Sequence, residues 1–191
     1  KYNAFVVHDE QTINAMGESE KKFILHLEID TGMTRHGVQP SQVLDHVNLI
    51  KSFPNLNLEG IMTHLSEADN PDNIFTNKQV ELFDNCVERI LATETKIKWI
   101  HIAQSAGTPK VSSKYANASR TGIALYGLNP LAKDDLDYGS FENLMPVLEF
   151  ISTITKLHNT KKGVSVGYGR TYRPDVDTII AVLPLGYYEG I

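Results

Sequence analysis

Short apolar runs alternate with amphipathic stretches over about the first 125 residues, and this alternation limits the possible folds more than any other feature. The apolar runs predict strands at residues 4–7, 23–30, 56–64, 97–103 and 120–126. Helical spacing of apolar side chains predicts helices at residues 40–50 and 76–92. Strands that alternate with helices are typical of a parallel sheet with crossover helices, so the sequence predicts an α/β fold.

The pattern changes after Tyr126. Residues 129–143 are polar and rich in turn formers, and the apolar runs beyond them, at 147–157, 164–166 and 178–183, lack helical periodicity. We expect residues 1–138 to form the α/β domain and residues 139–191 to begin a β-rich second domain. A (β/α)₈ barrel needs about 250 residues. With about five βα units visible, the first domain is either a smaller open sheet or an incomplete barrel from a longer protein.

Charge and composition exclude several classes of function. The formal net charge is −5 and basic clusters are absent, which disfavours sequence-independent nucleic-acid binding. No apolar run approaches the roughly 20 residues that a membrane-spanning helix needs, and residues 1–9 do not resemble a signal peptide. The single cysteine, Cys86, cannot form an internal disulfide, in keeping with a cytoplasmic location.

Polar side chains interrupt the predicted strand at residues 23–30. His26, Glu28 and Asp30 share one face of it, although both faces of a parallel sheet are usually apolar. A buried carboxylate is costly without a partner, so we expect Arg35 to pair with Glu28 or Asp30. The residues of this segment are equally compatible with a structural ion pair and with a binding site.

Other polar residues stand at or beside later strands, and together they indicate a site. A single histidine at a strand end is more often structural than catalytic. In α/β folds, however, ligands bind at the carboxyl ends of the strands. The sequence therefore predicts a site lined by Glu28, Arg35, His64, Ser105 and Arg120.

Two ligand chemistries fit these residues to different degrees. Gly107 and Gly122 lie close to hydroxyl residues, which suits a phosphate cradle, although neither a Walker motif nor a GxGxxG fingerprint is present. His26, Glu28, His64 and His101 could instead bind a divalent metal in a barrel hydrolase. The sequence lacks HxH and HExxH motifs, and two nearby arginines disfavour a cation, so we expect no metal.

Six segments of the chain resemble the alanine racemase family, in the family's own order. They are residues 30–37 (DTGMTRHG), 60–69 (GIMTHLSEAD), 101–107 (HIAQSAG), 120–127 (RTGIALYG), 167–172 (GYGRTY) and 184–190 (PLGYYEG). The resemblance implies an incomplete (β/α)₈ barrel followed by the start of a β domain, with pyridoxal 5'-phosphate in the barrel mouth. It also implies a homodimer with a shared active site.

The implied activity is the interconversion of L- and D-alanine, which supplies D-alanine for peptidoglycan of the bacterial cell wall. In the family, pyridoxal phosphate forms an imine with the amino acid, and two bases on opposite faces exchange the Cα proton. One base is the Schiff-base lysine, which has no counterpart among residues 1–191. We therefore expect an internal fragment that is inactive by itself.

The resemblance assigns roles to particular residues. Tyr168 matches the second base, which His64 and Arg120 assist, and Arg120 also matches the arginine that faces the pyridine nitrogen. Phosphate contacts match Ser105, Gly122 and Ile123.

Three further residues occupy positions on the substrate side of the family's site. Arg35 matches the arginine that contacts the cofactor's phenolic oxygen and the substrate carboxylate, and Tyr187 matches an aromatic residue of the entry channel. Glu28 stands where many members carry a carbamylated lysine, so we expect its carboxylate to position Arg35.

Substrate preference remains open. Gln104, Thr121, Tyr188 and Glu189 depart from the family's commonest residues. A serine or broad-spectrum racemase of the same fold, and a non-catalytic pyridoxal-phosphate-binding barrel protein, are the alternatives.

Overall fold

The structure is a computed structural model that describes residues 3–190. The chain forms two compact units, which divide between Val147 and Leu148.

A parallel five-stranded sheet forms the centre of the first unit, with its strands in chain order. The strands are β1 (Ala4–Val7), β2 (Phe23–Glu28), β3 (Leu56–Met62), β4 (Trp99–Gln104) and β5 (Ala118–Arg120). The helices are α1 (Glu10–Gly17), α2 (Val43–Ser52) and α3 (Ile74–Leu91). Because every neighbouring pair is parallel, the carboxyl ends of all five strands meet at one edge.

The three helices bury their apolar faces in a single core with the sheet. Leu25 and Leu27 of β2 are fully buried there, together with Val47 of α2 and Phe83 of α3. Alternation along β2 directs His26 away from this core, as the sequence predicts. The α/β class is thus confirmed.

The predicted strand at residues 120–126 is wrong. Strand β5 ends at Arg120, and Ile123–Tyr126 forms a 3₁₀ turn. Hydrogen bonds from Leu125 N to Gly122 O and from Gly127 N to Ala124 O close this turn. Gly127 follows with a φ of 77°, which an L side chain rarely adopts. Arg120 therefore lies at the carboxyl end of its strand and not at its start.

The second unit is β-rich, as the sequence predicts. Strands β6 (Lys156–Thr160) and β7 (Thr178–Val182) pair antiparallel. Of the apolar runs noted in the sequence, residues 147–157 enter a strand only with their last two residues. Residues 164–166 contribute an isolated bridge from Val166 to Tyr172. Within residues 3–190, no helix has both the length and the apolar character needed to cross a membrane.

Candidate active site

One cavity opens at the carboxyl edge of the sheet and contains five of the predicted site residues. Its volume is about 450 Å³. The predicted residues that line it are His64, Ser105, Arg120, Gly122 and Ile123. They meet because each lies at or just beyond the end of β3, β4 or β5. The structure thus brings these five residues together, whereas Glu28 and Arg35, which the sequence places in the same site, do not line this cavity.

Arg120 is held rigidly at this edge by main-chain carbonyl groups. Its Nη2 donates to Thr63 O at 2.8 Å and to Ile102 O at 3.1 Å, and its Nη1 donates to His101 O at 3.1 Å. Burial lowers the pKa of Arg120, and Glu28 opposes this effect. A guanidinium nevertheless keeps its proton in proteins, so Arg120 places a fixed positive charge beside the cavity.

Two histidines extend the hydrogen bonds of Arg120 along the sheet. Arg120 Nη1 lies 2.8 Å from His101 Nδ1, and His101 Nε2 lies 2.8 Å from His26 Nδ1. Because guanidinium can only donate, His101 Nδ1 is an acceptor. Burial first, then Arg120 and His26, lower the pKa of His101 to about 4. His101 is therefore neutral at pH 7 and carries its proton on Nε2, which donates a hydrogen bond to His26 Nδ1.

His64 lies on the other side of Arg120. Its Nδ1 is 3.4 Å from Arg120 Nη2, whose two hydrogens also bond to Thr63 O and Ile102 O. Because the guanidinium presents only hydrogens to it, Nδ1 carries no proton and accepts a shared, long contact. Burial lowers the pKa of His64, Arg120 and Arg35 lower it further, and Glu28 raises it. The net shift is downward, so His64 is neutral at pH 7 with its proton on Nε2.

The Ser105 hydroxyl and the main chain that follows β5 form another part of the cavity wall. Ser105 Oγ accepts from Gly122 N at 2.9 Å and from Ala124 N at 3.2 Å. Since both contacts use the oxygen as acceptor, the hydroxyl proton of Ser105 is free to donate to a ligand. A Cβ built on Gly122 meets nothing within 4 Å, so the main chain here is open to a ligand.

The predicted ion pair of Arg35 with Glu28 or Asp30 is not formed within residues 3–190. Asp30 Oδ1 instead accepts from Gly32 N at 2.9 Å and from Thr34 N at 3.0 Å, which stabilises the turn after β2. Arg35 is exposed, whereas Glu28 is buried with 9% of its surface accessible. Both still lie near enough to His64 to influence its pKa.

The remaining predicted residues, Tyr168 and Tyr187, belong to the second unit. Each starts a short 3₁₀ turn, and their side chains are 100% and 92% exposed. Gly167 and Gly169 flank Tyr168 with φ values of 74° and 68°. The structure thus presents Tyr168 on a tight glycine-rich turn of the second unit.

Three residues that the sequence does not assign to the site contact residues of the cavity wall, namely His101, Ala124 and Gln79. The sequence suggests His101 only as a possible metal ligand and gives no sign of the contacts that Ala124 and Gln79 of α3 make. The alternation of His101 along its strand could have identified the first of these. Residues 3–190 hold no group of three or more His, Cys, Asp and Glu side chains arranged for a metal ion.

Two family descriptions cover almost the whole chain. "Alanine racemase, N-terminal domain" matches residues 3–130, and "Alanine racemase, C-terminal domain" matches residues 147–191. The chain belongs to the alanine racemase family.

Named relatives agree with this membership. Alanine racemase of Staphylococcus carnosus is 37% identical over 90% of the chain and 43% of its own length. That of Geobacter sp. is 36% identical over 89% of the chain and 45% of its own length. The crystal structure of alanine racemase from Bacillus anthracis with bound L-Ala-P has a TM-score of 0.76 at 26% identity, over 98% of the chain and 49% of its own.

The chain thus spans about half the length of the relatives that it matches. Five parallel strands with a β-rich unit after them agree with the predicted incomplete (β/α)₈ barrel and second domain.

Proposed function

We propose that the protein containing this chain interconverts L- and D-alanine, with pyridoxal 5'-phosphate as its cofactor. One observation carries the proposal: Arg120, Ser105 and Gly122 line the same cavity, and the main chain at Gly122 is open to a ligand. Membership of the alanine racemase family supports it. The named relatives are alanine racemases, and one of their structures holds L-Ala-P.

The residues of the cavity fit the phosphate group of this cofactor. Ser105 has a free hydroxyl proton, because its oxygen already accepts two N–H groups. Gly122 leaves room for an anion to approach the main chain, and the neighbouring Ile123 lines the same cavity. The Ser105 hydroxyl and the main-chain N–H of Ile123 would be the donors, because the N–H of Gly122 already bonds to Ser105 Oγ.

Arg120 fits the nitrogen of the cofactor ring. Pyridoxal phosphate, when bound, supplies an electron sink that makes the Cα–H of an amino acid acidic. Arg120 would donate to the ring nitrogen from Nε, because both hydrogens of each terminal nitrogen already have acceptors, and it would not transfer its proton. Its anchoring by three carbonyl oxygens prevents it from moving away. This limits the withdrawal of electrons and favours simple exchange of the Cα proton over other reactions.

Tyr168 is our proposal for one of the two bases. A tyrosine with an ordinary pKa near 10 is a poor base at pH 7, so its phenolate needs a hydrogen-bond donor. Neutral His64 accepts from Arg120 at Nδ1 and thereby has its Nε2–H available as that donor. In the proposed homodimer, Tyr168 would come from a second copy of the chain.

Arg35 and Tyr187 are the proposed substrate contacts. The exposed guanidinium of Arg35, beyond the end of β2, suits a substrate carboxylate. We propose that Glu28 orients Arg35 indirectly, since the two form no direct ion pair within the described residues. Tyr187 is exposed enough to line an entry channel. We propose that the whole protein is a cytoplasmic homodimer.

The decisive test uses the complete protein with pyridoxal phosphate in heavy water. L-alanine and L-serine are supplied separately, loss of the Cα proton is followed by NMR, and the products are separated by chirality. We expect alanine to exchange and racemise faster than serine. Faster reaction of serine would identify a serine racemase instead. Absence of exchange despite bound cofactor would contradict the proposal and indicate a non-catalytic binding protein.

A further inference from the structure

Gln79 of helix α3 reaches the carboxyl edge of the sheet with a completely hydrogen-bonded amide. The residue is 0% exposed. Its Oε1 accepts from Ser66 N at 3.0 Å and from Ser66 Oγ at 3.1 Å. Its Nε2 donates to Thr31 Oγ1 at 3.2 Å and to His64 O at 3.2 Å. Thr31 Oγ1 in turn bonds to Thr63 Oγ1 at 2.7 Å.

These contacts join two strand ends to one helix. Thr31 follows β2, whereas Thr63, His64 and Ser66 follow β3. An amide has two donor hydrogens and two acceptor lone pairs, and Gln79 uses all four. A buried network in which every member is paired fixes a single geometry more firmly than apolar packing does.

The same main-chain segment also contacts Arg120. Thr63 O accepts from Arg120 Nη2 at 2.8 Å, and His64 Nδ1 lies 3.4 Å from that nitrogen. Residues 63–64 are therefore held between the amide of Gln79 and the guanidinium of Arg120. Neither the carbonyl of His64 nor its imidazole can shift without breaking one of these contacts.

We propose that Gln79 is a positioning residue, which fixes the main chain at residues 63–66 and thereby holds the His64 imidazole against Arg120. The inference rests on the proposed function only where it assigns His64 a part in racemisation. A purely structural role for Gln79 would alter the stability of the protein and leave the surroundings of His64 in the folded state unchanged.

The titration of His64 distinguishes these two roles. The groups that act on it are Arg120 and Arg35, which lower its pKa, and Glu28, which raises it, in addition to burial. If Gln79 holds His64 beside Arg120, loss of the amide moves the imidazole away and its pKa rises toward the ordinary value.

The test compares Gln79→Met with Thr76→Val in the complete protein. Thr76 is a matched control, because it lies on the same helix, is also 0% exposed, and its Oγ1 has no hydrogen-bond partner within residues 3–190. His64 is titrated by NMR with labelled histidine, its signal being assigned by its loss in His64→Asn. Values of kcat and KM for L-alanine are measured in parallel.

We expect Gln79→Met to raise the pKa of His64 and to lower kcat by about ten- to a hundredfold, with Thr76→Val leaving both unchanged. If Gln79→Met does not fold, Gln79→Asn, which keeps the amide but withdraws it by one methylene, is expected to shift both in the same direction. A folded variant with the His64 titration and kcat of the unchanged protein would overturn the inference. The titration of His64 needs no turnover. If the protein without substitutions lacks racemase activity, the proposed function is refuted, and the titration still tests the role of Gln79.

Discussion

At the scale of single residues, the guanidinium of Arg120 organises the cavity. It donates to three carbonyl oxygens and contacts His101 and His64 with its two terminal nitrogens. A planar fork of donors can make these contacts simultaneously, whereas the single ammonium group of lysine cannot reach both histidines.

Replacing Arg120 by lysine is therefore expected to lower kcat/KM for L-alanine by about a hundredfold or more, since the positive charge stays but its geometry is lost. Steady-state kinetics of the complete protein measure this. Arg89→Lys is the matched control, because the exposed Arg89 donates only to Pro40 O among the described contacts. A loss no larger than that of Arg89→Lys would show that charge alone matters at Arg120.

Titration of His101 should make the free energy of unfolding depend on pH. Burial, with Arg120 and His26, lowers its pKa from 6.5 to about 4. Between these values the unfolded chain binds a proton that the folded chain does not, so stability is lost as the pH falls from about 6.5 to about 4. After allowance for solvent screening, the loss is on the order of 1–2 kcal/mol.

Urea unfolding of the complete protein at pH 7.5 and pH 4.5 measures this loss. His101→Gln should depend less on pH in this range than the unchanged protein does. His158→Gln, at an exposed position on β6, should leave the dependence unaltered. Equal pH dependence in all three proteins would show that His101 titrates normally.

At the scale of secondary-structure elements, Gly60 determines how closely β2 and β3 approach. The register between these strands shifts so that His26 lies opposite Gly60. A Cβ built on Gly60 would lie 2.6 Å from His26 Cγ and Nδ1, so the imidazole fills the space where a side chain would be. Gly60→Ala should therefore push His26 away from His101.

We expect Gly60→Ala to destabilise the protein by about 1–3 kcal/mol, as overpacking of a close contact does. Gly139→Ala is the control, because a Cβ there would meet its nearest neighbour at 3.8 Å. Urea unfolding of both variants measures the difference. Equal stabilities would mean that the sheet adjusts to the extra methyl group without strain.

The sequence predicted the regular elements better than the irregular ones. Periodicity located β2, β3, α2 and α3 to within a few residues, because each has one uniformly buried face. Helix α1 is absent from the sequence-based prediction, although Asp9 is a typical N-cap residue and accepts from Thr12 N at 2.7 Å in the structure. The apolar run at 120–126 looked like a strand because propensity cannot show the turn that Gly122 and Gly127 allow.

The candidate site was predictable to a similar degree. His64, Ser105 and Arg120 could be grouped because parallel strands end at one edge. The pairing expected for Arg35 failed, since the main chain of the following turn competes for Asp30. The role of Gln79 depends on contacts with residues far away in sequence, such as Thr31, which periodicity does not reveal.

At the scale of the whole molecule, the proposed chemistry needs groups from both units. His64 and Arg120 belong to the first unit, and Tyr168 belongs to the second. Tyr168 is fully exposed on its turn, so its hydroxyl is available to a second copy of the chain. We propose that Tyr168 is one of two bases on opposite faces of the substrate, and that the other base is not among the residues of this chain.

The most direct test of this claim uses Tyr168→Phe in the complete protein with pyridoxal phosphate. L- and D-alanine are incubated separately in heavy water, and Cα exchange and racemisation are measured together, with Tyr172→Phe as the control for an exposed tyrosine of the same unit. We predict that racemisation falls by about 10²–10⁴, while exchange without inversion continues from one enantiomer only. Racemisation at the rate of the unchanged protein would contradict the two-base account.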